Sequence, residues 1–110
     1  MKYIISMLFM LLFSTQSSAN YDANFKGKIL SVLTYPHSKI ILIRVEGQPT
    51  THPVCSKFDY LAIDPNIDHE TRQIVFARLL MAYATGETVN IGYDANDECI
   101  GARMKVYRVG

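Results

Sequence analysis

His52 and Cys55 stand three residues apart, a spacing at which an imidazole could take a thiol proton and leave a nucleophilic thiolate. The chain has one other cysteine, Cys99, and two cysteines in an oxidising compartment read as a pair. A Cys55–Cys99 bridge would close a loop of about 44 residues, worth roughly 4 kcal/mol before any native strain is subtracted. The disulfide is the expectation, because a catalytic thiol would have to stay reduced outside the cytosol. Asp64, Asp68, His69 and Glu70 offer oxygen and nitrogen ligands for a metal. Turn and cap chemistry accounts for them more simply, with Asp64-Pro65-Asn66 a turn and Asp68 a helix N-cap. Asp94, Asn96 and Glu98 alternate as in a calcium loop, but the glycine and the distal glutamate of such a loop are missing. No metal or other cofactor is expected. His37, His52 and His69 fall on separate loops or caps, and no Gly-x-Ser-x-Gly, P-loop or His-Glu-x-x-His occurs. Groups capable of catalysis are present but not assembled, so no enzyme is expected and no catalytic residue is assigned.

The oxidising compartment is read from the start of the chain. Met1-Lys2-Tyr3 carries one positive charge, Ile4 to Phe13 is an apolar run broken only by Ser6, and Ser14 to Ala19 is small and polar. That order predicts a secretory signal over residues 1–19, cut after Ala19, with Ser17 and Ala19 at the small-residue positions. The apolar run falls far short of the about 20 residues of a membrane-spanning helix. Residues 20–110 then form one domain, periplasmic or secreted. Charge is balanced, 11 Lys+Arg against 10 Asp+Glu, with Lys2 in the leader and no basic run. Neither nucleic acid nor an anionic lipid surface is expected as a partner. So small a domain buries only about 60–65% of its unfolded surface, which makes the staple matter.

Five strands and a helix must carry these residues. Phe25 to Thr34 predicts a strand, with Gly27 marking a bulge or tight bend. After a turn at Tyr35-Pro36-His37-Ser38, Lys39 to Glu46 predicts its hairpin partner. Val54 to Ile63 reads as a third strand or extended segment carrying Cys55. Asp68 as N-cap, an apolar stripe of Ile74, Val75, Phe76, Leu79, Leu80 and Tyr83, and Gly86 as C-cap predict a helix over His69–Thr85, with Arg72, Gln73 and Arg78 towards water. Val89, Ile91 and Tyr93 alternate with polar or small residues in a fourth strand, and Ala102 to Val109 in a fifth. A helix between strands three and four of a five-stranded antiparallel sheet is the arrangement of a small OB-type barrel. An open α+β sheet with the helix across one face is the alternative.

Seven tyrosines and no tryptophan are also notable, since a tyrosine offers apolar area and a hydroxyl together, as sugar recognition requires. Tyr83 and Tyr93 fall on stripes expected to face the core, whereas Tyr21 and Tyr35 fall on a loose terminus and a turn. Three stretches add a family resemblance. Asp22-Ala-Asn-Phe-Lys-Gly27, Tyr83-Ala-Thr-Gly-Glu-Thr-Val-Asn-Ile91 and Cys99-Ile-Gly101 resemble, in order, segments of the B subunits of the subtilase cytotoxin and typhoid toxin type. The resemblance implies an OB-fold chain that assembles as a ring pentamer and binds glycan on behalf of a separate A subunit. It places Asp22 and Tyr83 at glycan-contact positions, with Tyr21, Lys26 and Gly27 beside them. Lys26 stands where that family has the serine that contributes to its sialic-acid contact, so the resemblance implies a glycan without specifying sialic acid. This chain is also shorter between Ile91 and Cys99 and runs on past Cys99 into a further strand.

The first expectation is therefore an exported, oligomerising glycan-binding module. The second is a monomeric periplasmic domain of the envelope that binds or inhibits another protein. The helix separates them, because a stripe this broad is too apolar for one small barrel to cover.

Overall fold

The structure, a computed structural model, describes residues 21–110. The expected leader over residues 1–19 lies outside the described residues. The elements run β1 (Ala23–Thr34), β2 (Ile41–Val45), β3 (Lys57–Ile63), α1 (His69–Thr85), β4 (Thr88–Tyr93), β5 (Cys99–Ile100) and β6 (Arg103–Val109). The sheet order is β3-β2-β1-β4-β6-β5, and a parallel β3–β6 pairing closes it. The fold is mainly β, a closed five-stranded OB-type barrel with one helix between β3 and β4 and the short β5 added at the edge of β6.

β1 makes closure possible because it belongs to both halves of the barrel. Ala23–Lys28 pairs with β4, and Ile29–Thr34 pairs with β2, with a register shift between Ile29 and Ser31. Gly27 sits just before the changeover. Its conformation is ordinary, but a Cβ there would lie 1.9 Å from the Glu46 carbonyl oxygen. The missing side chain lets β2 cross close over β1 as the strand bends.

Alternation does the rest. Ile29 on β1, Ile41, Ile43 and Val45 on β2, Leu61 and Ile63 on β3, Val89 and Ile91 on β4, and Met104 and Val106 on β6 meet inside the barrel. Leu79 and Ala82 of α1 complete this core. The helix occupies His69–Thr85 as expected. The Asp68 carboxylate accepts from the Thr71 N–H and hydroxyl, and Gly86 closes the last turn at φ 70° while its N–H reaches the Ala82 carbonyl. Hydrogen bonding from Thr71 holds the Asp68 carboxyl below its usual range.

Two expectations need correction. Cys55 is not on β3, which begins at Lys57; the His52 side chain captures the Val54 and Cys55 N–H groups that a ladder would have used. Tyr83 does not face the core, since 51% of it is exposed.

Candidate functional site

The outward face of β1 carries the first group of residues. Asp22, Asn24, Lys26 and Lys28 alternate into water while Phe25, Gly27 and Ile29 turn inward. Tyr21 lies against Gly92, where a Cβ would come within 3.0 Å of its ring, and stacks on Tyr107 with centroids 6.0 Å apart. The Asp22 carboxylate accepts from the Ala95 N–H at 3.0 Å and from the Asn96 side-chain amide. Asp22 thus sits over the β4–β5 loop, Tyr21 before it packs on β4 and β6, and Lys26 continues the Asp22 row opposite Asn90. Tyr83 stands on a different element, half-exposed on α1, and no hydrogen bond or ring contact joins it to that row among the described residues.

The β4–β5 loop beneath Asp22 is tightly folded. Asp94 is 3% exposed, and its carboxylate accepts from the N–H groups of Asn96, Asp97 and Glu98 at 2.8, 3.1 and 3.3 Å. The Asn96 bond foremost holds its carboxyl below the usual range. The Asp94, Asn96 and Glu98 alternation therefore wraps the loop around one carboxylate. Beside it, His52 Nδ1 accepts from Val54 and Cys55, so Nε2 carries the proton and donates to the Asp94 carbonyl at 2.9 Å. Cys55 and Cys99 form the expected disulfide, with Cα atoms 5.7 Å apart. His52 and the two sulfurs come within 4.8 Å of one another, but sulfurs bonded to each other are neither thiolate nucleophiles nor thiolate ligands. The three histidines stay apart: His37 meets Tyr35, His52 the disulfide and His69 Gln73.

The outer side of α1 is apolar along its later turns, beyond the exposed Glu70 and Gln73. Ile74 is 70% exposed, Met81 60% and Leu80 42%, and Ala77 and Ala84 lie exposed on the same side. Only Leu79 and Ala82 are fully buried, with Val75 and Phe76 packed at the edge of the core. The broad stripe is thus divided, one side taken by the barrel and the other facing solvent. Arg78 pairs with Glu87 at 2.8 Å, and Arg72 donates to the Lys39 carbonyl, so both long cations are folded back.

Sequence reasoning missed a groove on the barrel's flank. The β1–β2 turn (Tyr35, His37, Ser38) forms one wall and the β5–β6 turn (Ile100, Gly101) the other, with Ile40, Leu42 and Arg103 between them. Its volume is about 380 Å³, at the low end for small-ligand sites. Arg103 donates through Nε and Nη2 to the two Asp59 carboxylate oxygens, each at 2.9 Å, and lies 5.9 Å from the centre of the Tyr60 ring. The only advance signal was Tyr35, an aromatic residue beside a turn proline.

That ion pair has a measurable consequence. The Arg103 hydrogen bond holds the Asp59 carboxyl down to about 2, from 3.8. The folded value is the lower one, so the stabilisation is complete above about pH 4 and fades as pH falls towards 2. Asp59 is 49% exposed, and screening leaves the pair about 1 kcal/mol or less. In urea titrations, Asp59→Asn is expected to flatten the wild-type loss of stability across that window by about this amount. Identical acid profiles for the two proteins would show that the pair contributes nothing.

Comparison with known proteins gives no match to a family model, a curated protein or a solved structure.

Proposed function

We propose that this chain is an exported OB-fold binding module that assembles into a ring and recognises cell-surface glycan on behalf of a separate A subunit. One observation carries the reading: the outer side of α1, with Ile74, Leu80 and Met81 in water around Ala77 and Ala84. A helix apolar on both sides is one that is covered on both sides, and this barrel covers only one. The alanines let a second helix approach while the larger residues fill the space between, which suits the same helix of another copy. Repeated head to tail, with one side of each helix against the other side of the next copy's helix, the contact closes into a ring when the rotation between copies divides a full turn.

Glycan recognition is proposed on the outward row of β1, with Asp22 over the β4–β5 loop, Lys26 along the row, and Tyr21 beside Asp22 against Gly92 and Tyr107. Tyr83, on α1, sits near the subunit boundary. The disulfide and the leader pattern support export, and the three stretches resembling toxin B subunits support the ring and its cargo role. Single sugar sites are weak, and a ring multiplies them into useful avidity of about 10²–10⁴.

The reading is tested by retention of the purified disulfide-bonded protein on glycan-coated surfaces. Ile74→Glu and Met81→Glu change exposed positions and leave the core alone. Both are expected to lower retention about 100-fold while the fold is kept, and Asp22→Ala to lower it without disassembly. A wild-type protein that binds no surface glycan, or variants with undiminished avidity, would overturn the proposal. A monomer that uses the same helix face on an envelope protein would establish the alternative.

A further inference from the structure

We propose that the groove between the β1–β2 turn and the β5–β6 turn is a second binding site, one that takes a neutral sugar ring. The site is separate from the β1 row and does not depend on assembly.

Leu42 is 6% exposed but is not part of the barrel interior, which takes Ile41 and Ile43 from the same strand. Leu42 is thus packed away on the outside of the sheet, and the half-buried Ile40 and Ile100 beside it supply the apolar floor that a ligand meets. Tyr35 rises at its edge, 36% exposed, and its ring is held edge-on to His37 at 6.4 Å between centroids. A half-exposed ring over an apolar floor suits a ligand that has an apolar face of its own.

Arg103 is the cation among the lining residues that carries a permanent charge, and Asp59 matches it with two parallel hydrogen bonds. An anionic ligand would have to compete with that carboxylate for the guanidinium. A purely apolar ligand would cover His37, Ser38 and the Arg103–Asp59 edge without satisfying them. Phosphate chains need clustered Lys and Arg, which the lining lacks. A neutral sugar meets all three conditions, with C–H groups on one face and hydroxyls at the rim that both donate and accept. Asp59 fixes the plane of the Arg103 guanidinium, which donates at the rim, and the Ser38 hydroxyl and His37 ring add donors and acceptors for those hydroxyls.

Amide NMR of the ¹⁵N-labelled, disulfide-bonded protein tests this directly. The probes are the methyl glycosides of galactose, glucose, mannose and N-acetylglucosamine, set against sialic acid and glucuronate. A member of the neutral set is expected to give saturable shifts at Ser38, Leu42, Gly101 and Arg103 with millimolar affinity, about tenfold tighter than either acid. Tyr35→Ala should abolish the shifts and Tyr35→Phe, which keeps the ring, should retain them. Asp22→Ala should leave them unchanged, which separates this site from the β1 row. No saturable shift at the groove, shifts confined to residues 21–28, or equal binding of the acids would overturn the proposal. So would unaltered binding by a folded Tyr35→Ala variant.

Discussion

Replacing Gly27 by alanine is expected to cost about 3–4 kcal/mol, enough to unfold much of the population of a domain this small. The added Cβ would lie 1.9 Å from the Glu46 carbonyl oxygen, 3.0 Å from its carbon and 3.1 Å from a Val45 methyl. Two of those three contacts are backbone, so no rotamer change relieves them. β2 would have to withdraw from β1 just where β1 changes partners. The Glu46 N–H bond to the Lys28 carbonyl, 2.9 Å, and the Ile29–Val45 pairing would open together. Overpacking alone costs about 1–3 kcal/mol, and each broken ladder bond adds about 1. In thermal melts the midpoint is expected to fall by roughly 12–32 °C. A change below about 1 kcal/mol would mean that β2 does not cross β1 as closely as described.

The second large effect is loss of the disulfide. It closes a loop of 44 residues that holds β3, α1 and β4. Chain entropy puts its contribution at roughly 4 kcal/mol, and native disulfides of small domains commonly give 2–5. Cys55 is 2% exposed within the core, and the loop wrapped on Asp94 lies between the bridge and the His52 hydrogen bond. The paired change Cys55→Ala with Cys99→Ala is therefore expected to cost about 3–4 kcal/mol and to lower the urea midpoint. Reduction of the wild-type protein should do the same, and re-oxidation should restore it. Equal stability of the oxidised and reduced proteins would show that the bridge is incidental to the fold.

Much of this fold was legible in the sequence because its boundaries rest on single residues with a local mechanism. Asp68 and Gly86 delimit α1 through a side-chain acceptor and a left-handed backbone, and neither depends on the rest of the chain. The strands carry their alternation openly, and a helix after the third strand favours the barrel over the open α+β sheet, while the parallel β3–β6 pairing that closes it is a long-range contact no local signal announces. β5 was not legible, since two residues show no period. Cys55 fell outside β3 because a neighbouring side chain outcompeted the ladder, an outcome that strand propensity does not register.

The surfaces were harder to read for a different reason. The apolar residues of α1 reach round more than one side of the helix, and sequence does not say which side the barrel takes. Leu79 and Ala82 were taken and Ile74, Leu80 and Tyr83 were left out, which moved Tyr83 from the core to the surface. The groove joins Tyr35 to Arg103 across most of the domain. Only the parallel pairing that brings β6 beside β3 puts the Asp59 carboxylate within reach of Arg103. Asp22 was legible as a surface residue, but its hold on the β4–β5 loop through Ala95 and Asn96 was not.

The most direct test of the account is the mass of the purified, disulfide-bonded protein in solution, by native mass spectrometry at micromolar concentration. The exposed apolar side of α1 predicts a closed assembly, a pentamer if the toxin resemblance extends to symmetry, which Ile74→Glu converts to monomers. A wild-type protein that runs as a clean monomer, with the same mass as Ile74→Glu, would contradict it.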